Sequence, residues 1–425
     1  MGIPVTTSNA LEQRARAVVA SAATPNAHKA AQEFVAQLSC DAALQLDACV
    51  RCGQCADACH FYLVTRDPRY TPVYKLRPML WTYQRERAPF AAVKRWLGLA
   101  PAEVTAAELT EWSELLYDTC NLCGRCTLAC PMGIDIAGLV RLAREGMSAA
   151  GFAPADLYKA AERALDSGSP TGVGWPTLKP QIKHQEQEIG LKIPVDVEGA
   201  DYLAIVSSIE IASFPETIGA LARIFNQAKL SWTLPSAGFE ATNVGVQIGS
   251  REVAAALLAR VVETAERLKV KYVISPECGH AYTALRWEGP NLLGRTYPFK
   301  VVHIVELLEQ LVREGRLRTR GKDSRRLAFH DPCQLVRRGG ITEAPRRLMG
   351  GVSAIHRAEK LRFAAFACKK QQVETAGAEA LVTACANCRN VLEEAIDEYR
   401  MTLPVLGLTE LVAQYLEPDQ AAALS

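Results

Sequence analysis

Two cysteine runs share one spacing: Cys49-Val-Arg-Cys52-Gly-Gln-Cys55-Ala-Asp-Ala-Cys59 and Cys120-Asn-Leu-Cys123-Gly-Arg-Cys126-Thr-Leu-Ala-Cys130, the second followed at once by Pro131. Both read C-x2-C-x2-C-x3-C, a pattern that ligates paired [4Fe-4S] clusters. Three cysteines on a tight loop reach three irons of one cubane. The fourth, one helical turn on, reaches the other cluster. The spacing therefore predicts one cluster on Cys49, Cys52, Cys55 and Cys130 and a second on Cys120, Cys123, Cys126 and Cys59. Zinc favours paired C-x2-C units and disulfide frameworks belong to short secreted chains; neither accounts for two copies of a four-cysteine run. His60 stands where the second run has proline, which should alter the local turn and not the ligation.

Further cysteines follow strand-like segments. Ser275-Pro-Glu-Cys278, His330-Asp-Pro-Cys333 and Thr383-Ala-Cys385-Ala-Asn-Cys388 each come after a short β-branched run, and Cys368 lies between the last two. In open parallel sheets, ligands gather beyond the carboxyl ends of strands. Cys278, Cys333, Cys368, Cys385 and Cys388 are thus candidates for a third metal site or for thiol chemistry, against the plainer reading of scattered core thiols. His280 and His330 neighbour these positions, either as hydrogen-bond donors and proton carriers or as strand-end histidines satisfied by backbone. Arg337-Arg338-Gly339-Gly340 reads as a receiver for an anionic substrate or partner, or as a solvated loop. Lys369 and Lys370 would attract an acidic carrier or lower a thiol pKa, or form a solvent face. Cys40 has no partner in the pattern and reads as structural.

The elements around these residues suggest helical and α/β parts. Residues 1–40 read as an N-terminal helical arm and 41–150 as a mostly helical ferredoxin-like domain, with a helix expected over 101–112 from its Pro101 start and early acids. Residues 151–200 read as a linker or wrapping segment, from the Gly- and Pro-rich run beginning at Ser167. From 201 onward, short β-branched runs alternate with helix-length segments, which implies an α/β domain with a parallel sheet. A weak repeat divides it into halves, 201–320 and 321–417. Val262-Glu-Thr-Ala265 leads through a strand to Cys278, as Val373-Glu-Thr-Ala376 leads to Cys385 and Cys388.

The 425 residues allow two or three domains, and 49% apolar content supplies a sizeable core. A net charge of +2 points to neither nucleic acid nor an acidic partner. The start, Met1-Gly-Ile-Pro-Val, has no basic and apolar leader pattern, and metal-ligand cysteine spacings suit a reducing, cytoplasmic compartment. No transmembrane run of about 18 apolar residues is present. Gly2 with Thr6 meets the minimal myristoylation pattern, but no basic patch follows as a second anchor. Neither a G-x-G-x-x-G fingerprint nor a P-loop occurs, so electrons are expected to pass to or from another subunit.

The chain resembles the heterodisulfide reductase D-type iron–sulfur proteins, in its sulfur-metabolism branch. The residues that carry the likeness are Cys59-His-Phe-Tyr-Leu-Val-Thr-Arg-Asp-Pro-Arg-Tyr70, Pro276-Glu-Cys-Gly-His280, His330-Asp-Pro-Cys-Gln334 and Leu381-Val-Thr-Ala-Cys-Ala-Asn-Cys388. The resemblance implies a helical two-cluster domain joined to a duplicated cysteine-rich domain. It also implies a redox complex with a flavoprotein or membrane electron-transfer subunit, and a thiol or disulfide substrate. In that family, a cysteine, a Cys-Cys-Gly doublet and a C-x2-C pair hold a noncubane cluster. Here Cys368 is followed by Lys369-Lys370, and sixteen residues separate it from Cys385. The C-terminal cysteines are therefore open to three readings: a cubane, a modified noncubane site, or a degenerate site without metal. Two other functions stay open: a non-catalytic relay and docking subunit, and the iron–sulfur subunit of a flavin-linked glycolate- or glycerol-phosphate-type dehydrogenase.

Overall fold

A computed structural model describes residues 8–240, 243–320, 323–349 and 366–417. Helices dominate, and among the described residues every strand lies beyond residue 200. None of the described helices is long and apolar enough to cross a membrane.

In the helical part, a core of Phe34, Leu46, Met79, Trp112, Leu116 and Met147 ties together the segments that carry the cysteine runs. Gly146 lets Phe34 lie against the helix Ile136–Ala149, since a Cβ there would stand 2.4 Å from the ring. The helix expected from Pro101 begins instead at Ala106. The Thr105 hydroxyl accepts the Glu108 amide, and the Glu108 carboxylate accepts the Thr105 amide at 2.8 Å. This capping box sets the start and overrides the proline signal. The helix runs into a π-helical turn, Glu114–Asp118, that delivers Cys120.

The N-terminal arm is divided between two regions. Helix Ala27–Ala36 packs on Ile136–Ala149 of the helical core. Helix Ser8–Ala20 crosses to helix Arg251–Arg267, where Leu11, Ala15 and Val18 meet Ala255, Ala256 and Ala259. Residues 151–200 contain two helices, Ala155–Ser167 and Trp175–Ile189, where a linker or wrapping segment was expected. Pro154 and Pro176 sit at the starts of these helices, where proline is tolerated, and Leu178 and Ile182 are buried.

Among the described residues, seven short strands form two parallel sheets. β1 (Tyr202–Ala204), β2 (Trp232–Thr233), β3 (Tyr272–Ser275) and β4 (Lys300–His303) lie in the order β2-β1-β3-β4. β5 (Leu327–His330), β6 (Ala380–Thr383) and β7 (Val405–Gly407) lie in the order β5-β6-β7, which repeats β1-β3-β4. The last strand–helix units also match in sequence: Val301-Val-His-Ile-Val-Glu306 against Val405-Leu-Gly-Leu-Thr-Glu410. Sequence reading misses β2, which is only two residues long, and also β4 and β7. In β4 and β7, a helix follows at once, so the apolar run has no period of its own. Leu203, Val273, Phe329 and Val382 belong to one core, so the two sheets are packed together.

Candidate functional site: two thiol quartets and a C-terminal thiol group

The two cysteine runs adopt the same backbone. Arg51 (φ 54) and Gly53 (φ 84) in the first correspond to Leu122 (φ 50) and Gly124 (φ 73) in the second. Each loop then enters a short helix, Gln54–Ala58 or Arg125–Leu128. Left-handed residues within a turn can present backbone N–H groups as a concavity of the kind found at anion and Fe–S sites. A non-glycine residue in this region is costly, and it persists where the surroundings impose it.

The two short helices pack on each other, which crosses the fourth cysteines over. Burial, together with the nearby thiols of Cys49, Cys130 and Cys52, lifts the Cys55 thiol to about 11. Burial also raises Cys126, whose thiol neighbours are Cys120, Cys123 and Cys59. Cys123 is likewise raised by burial and faces Cys120 and Cys59. The structure thus brings Cys130 to Cys49, Cys52 and Cys55, and Cys59 to Cys120, Cys123 and Cys126. The second quartet lines a small cavity shared with His60 and Lys75. Four soft thiol donors around one point suit an iron–sulfur cubane. Among the described residues, no three His, Cys, Asp or Glu side chains stand close enough to share one ion. Zinc, with thiolates all at about 2.3 Å, would need such a group.

Cations surround the second quartet. Lys75 is buried; its ammonium donates to the Thr119 carbonyl and lies 5.2 Å from the Phe61 ring centre. Arg144 is buried and donates to the Leu116 carbonyl at 2.7 Å and to the Cys120 carbonyl. His60 is 6% exposed, and neither ring nitrogen meets a protein partner among the described residues. Burial, then the charges of Arg125, Lys75 and Arg337, hold it down to about 3, so it is neutral near pH 7 and carries one N–H donor.

In the C-terminal half, each cysteine group follows a strand. Cys278 caps helix Gly279–Thr283 after β3, Cys385 caps helix Ala386–Glu398 after β6, and Cys333 opens the π-helical turn Gln334–Arg338 after β5. The Cys388 amide donates to the Cys385 sulfur at 3.4 Å. The Cys388 thiol, aided by the backbone N–H groups of Cys388, Gly279 and Asn387, holds Cys385 below the usual cysteine range despite its burial. Gly279 also closes on the Cys333 turn, because a Cβ there would stand 2.5 Å from the Leu335 nitrogen. The segments of Cys278, Cys333, Cys385 and Cys388 therefore meet. Cys368 lies in helix Phe366–Ala376, but its side chain is outside the described residues. Cys40 opens helix Cys40–Ala48 and is exposed.

The turn after Cys333 joins the two thiol regions. Gln334 Nε2 donates to the Leu122 carbonyl at 3.2 Å, and Arg337 Nε donates to the Cys123 carbonyl at 2.8 Å. Arg338 pairs with Asp135 at 3.2 Å. The arginine pair expected to receive an anion, or to be solvated, is instead bound to the second cysteine loop and its flank. Lys369 is buried, whereas Lys370 lies 3.8 Å from Glu374. His280 is half-buried, and desolvation followed by the Arg144 charge holds it down to about 4.

Sequence reading missed a group of buried carboxylates beside this site. Glu210 accepts the Ser207 amide at 2.7 Å and the Glu277 amide at 3.2 Å. The Glu277 carboxylate accepts the Thr409 amide and hydroxyl, and its backbone carbonyl accepts the Ala386 amide at 2.8 Å. The one available signal was Ser207-x-x-Glu210, a capping-box pattern.

Comparison with known proteins agrees with this arrangement. Residues 45–134 match the 4Fe-4S dicluster domain family. The Hdr-like menaquinol oxidoreductase iron-sulfur subunit of Archaeoglobus profundus is 27% identical over 72% of this chain and 63% of its own length. The D subunit of the dihydromethanophenazine:CoB–CoM heterodisulfide reductase of Methanosarcina barkeri is 25% identical over 88% of this chain and 94% of its own. The EtfAB:quinone oxidoreductase of Syntrophomonas wolfei is 27% identical over 75% of this chain and 47% of its own. The chain thus spans under two thirds of the length of the Archaeoglobus relative. It carries a dicluster domain with two [4Fe-4S] clusters and, over most of its length, is similar to heterodisulfide reductase D subunits and Hdr-like iron–sulfur subunits.

Proposed function

We propose that this chain is the electron-transfer subunit of a heterodisulfide reductase-like complex in sulfur metabolism, with its thiol/disulfide site at Cys385 and Cys388. Cys49, Cys52, Cys55 and Cys130 hold one cluster in this reading, and Cys59, Cys120, Cys123 and Cys126 hold the other. A cluster held by either quartet would supply one-electron transfer there. The left-handed loops aim N–H groups at each site, and Lys75 and Arg144 add positive charge beside the second. A partner, either a flavoprotein or a membrane electron-transfer subunit, exchanges electrons with the chain.

At the C-terminal site, Cys385 attacks one sulfur of a substrate disulfide as the thiolate. A mixed disulfide forms and the first substrate thiol leaves with a proton. Cys388 then displaces the second thiol and closes a Cys385–Cys388 disulfide. Two electrons and two protons restore the dithiol; the reverse sequence forms a substrate disulfide. The observation that carries the reading is the Gln334–Arg338 turn, which starts at Cys333 and is hydrogen-bonded to the Leu122 and Cys123 carbonyls. It supports a short path between the second cluster and the thiol group.

The deciding experiment is iron content with electron paramagnetic resonance on protein purified without oxygen, oxidised and after dithionite. About eight irons with signals only after reduction support two clusters beside a protein dithiol. About twelve irons would instead place a third cluster on Cys278, Cys333, Cys385 and Cys388, with Cys368 as a further candidate. A second reading, a relay without sulfur chemistry, is favoured by Lys369-Lys370 standing where the doublet would continue. Two clusters with no thiol-dependent turnover would select it.

A further inference from the structure

Beyond the thiol sites, the most exposed apolar surface lies on a tip between the helix Arg77–Glu86 and Glu103. Phe90 is 78% exposed, Trp96 83% and Leu99 71%, with Val93 and Leu97 exposed beside them. Single exposed hydrophobic residues need no explanation, but a contiguous patch does. The tip is firmly held: Ala88 and Ala91 are buried at its base, and the short helix Ala91–Trp96 presents the large side chains outward. Phe90 adopts φ 62, in the left-handed region. A bulky residue held there while its ring stays in solvent serves no packing purpose within the chain.

The charges at the tip have one sign. From Arg87 to Ala102 there is no Asp or Glu, while Arg87, Lys94 and Arg95 are present. The flanking carboxylates are already engaged: Glu86 pairs with Arg95 at 2.6 Å and with Arg85 at 3.2 Å, and Glu103 pairs with Arg85 at 2.9 Å. No ion pair involves Lys94 or Arg87 among the described residues. Aromatic and leucine side chains at the apex, with cations around the base, are the composition of segments that lie in the interface of a bilayer. A convex tip of this kind suits a deformable medium that closes around it, and its cations suit anionic headgroups.

We propose that the tip Phe90–Leu99 inserts into the surface of an anionic lipid bilayer and docks this chain there. Phe90, Trp96 and Leu99 enter the acyl boundary, and Arg87 and Lys94 meet the headgroup phosphates. The inference is independent of the electron-transfer reading, and its test needs no turnover.

The test is co-flotation of the full, iron-loaded chain with vesicles of phosphatidylcholine containing phosphatidylglycerol, compared with phosphatidylcholine alone. The native protein floats with the anionic vesicles, less so as salt is raised. Trp96→Glu lowers the bound fraction by about tenfold or more with iron content and reduced-state resonance unchanged. Phe90→Gly suits the left-handed backbone, so it keeps or raises stability while it weakens flotation. Arg87→Glu with Lys94→Glu removes the preference for anionic vesicles. The proposal is overturned if the native chain floats with neither vesicle, which would assign the patch to a protein contact. It is equally overturned if Trp96→Glu floats like the native chain, or if both vesicle types bind the native chain alike.

Discussion

Beyond β1 and β3 stand Glu210 and Glu277; beyond β5 and β6 stand Cys333, Cys385 and Cys388. The order β5-β6-β7 repeats β1-β3-β4 of the larger sheet, and both sets of residues lie at carboxyl ends. One end carries carboxylates that hold backbone and hydroxyl donors, and the other carries thiols. Glu277 accepts Thr409 after β7, and its carbonyl accepts Ala386 after β6. The acidic end therefore fastens the loops on which the sulfur end is mounted. Cys278 is the one thiol on the acidic side, and the adjacent Gly279 amide reaches Cys385. On the proposed function, a repeated α/β unit divides its labour: one copy supplies buried carboxylates that hold the loops, the other supplies the thiols.

The largest effect should come from the sulfur end. Cys385→Ala is expected to abolish thiol/disulfide turnover while the eight N-terminal cysteines keep their iron. Iron analysis beside a turnover assay checks this, and turnover that survives would reduce the difference between the two ends to composition alone. On the acidic end, Glu277→Ala strands the Thr409 amide and hydroxyl and should destabilise the chain by about 3 kcal/mol, read by denaturant unfolding. Glu277→Gln, which keeps an acceptor, should lose less.

A pH series sharpens the comparison. Burial raises Glu210 from its ordinary 4.5 to about 7. The folded chain therefore keeps a proton that the unfolded chain has released. This contribution is full below about 4.5 and declines as pH climbs to about 7, by at most about 3 kcal/mol. Unfolding free energies measured across that window should fall, and Glu210→Gln should flatten the slope. The smallest change is expected from Arg337→Ala, which loses the bond to the Cys123 carbonyl: about 1 kcal/mol of stability and slower electron passage between the two thiol regions. Rapid-mixing reduction kinetics would detect the second effect; an unchanged rate would show that the Gln334–Arg338 turn is only a prop.

Much of the N-terminal arrangement was legible because its information is local. Eleven residues carry each cysteine run, and Gly53 and Gly124 already mark the turns. The spacing also assigns Cys130 to the first run and Cys59 to the second, and Cys130 is among the thiol neighbours of Cys55 as Cys59 is of Cys126. The C-terminal meeting of Cys278, Cys333 and Cys385 was partly legible, since strands followed by cysteine are visible in sequence, although the sheet decides how near they come. Glu210 and Glu277 were hidden, because a buried glutamate reads like a surface one until its donors are known. Arg337 and Arg338 were read as anion receivers or a solvated loop for the same reason: their partners, Cys123 and Asp135, are some two hundred positions away. Pro176, in the run read as a linker or wrapping segment, stands at a helix start, since a helix start and a break use the same residue.

Gly279 contributes no reactive atom, yet it lies where the two strand ends touch. With hydrogen in place of a methyl group, the backbone beside Cys278 can rest directly on the turn that begins at Cys333. Even the smallest side chain would act as a wedge, parting the sulfur-bearing loops and lengthening the gap an electron must tunnel across. Because tunnelling falls off exponentially with separation, an inert residue would then govern the current through the chain.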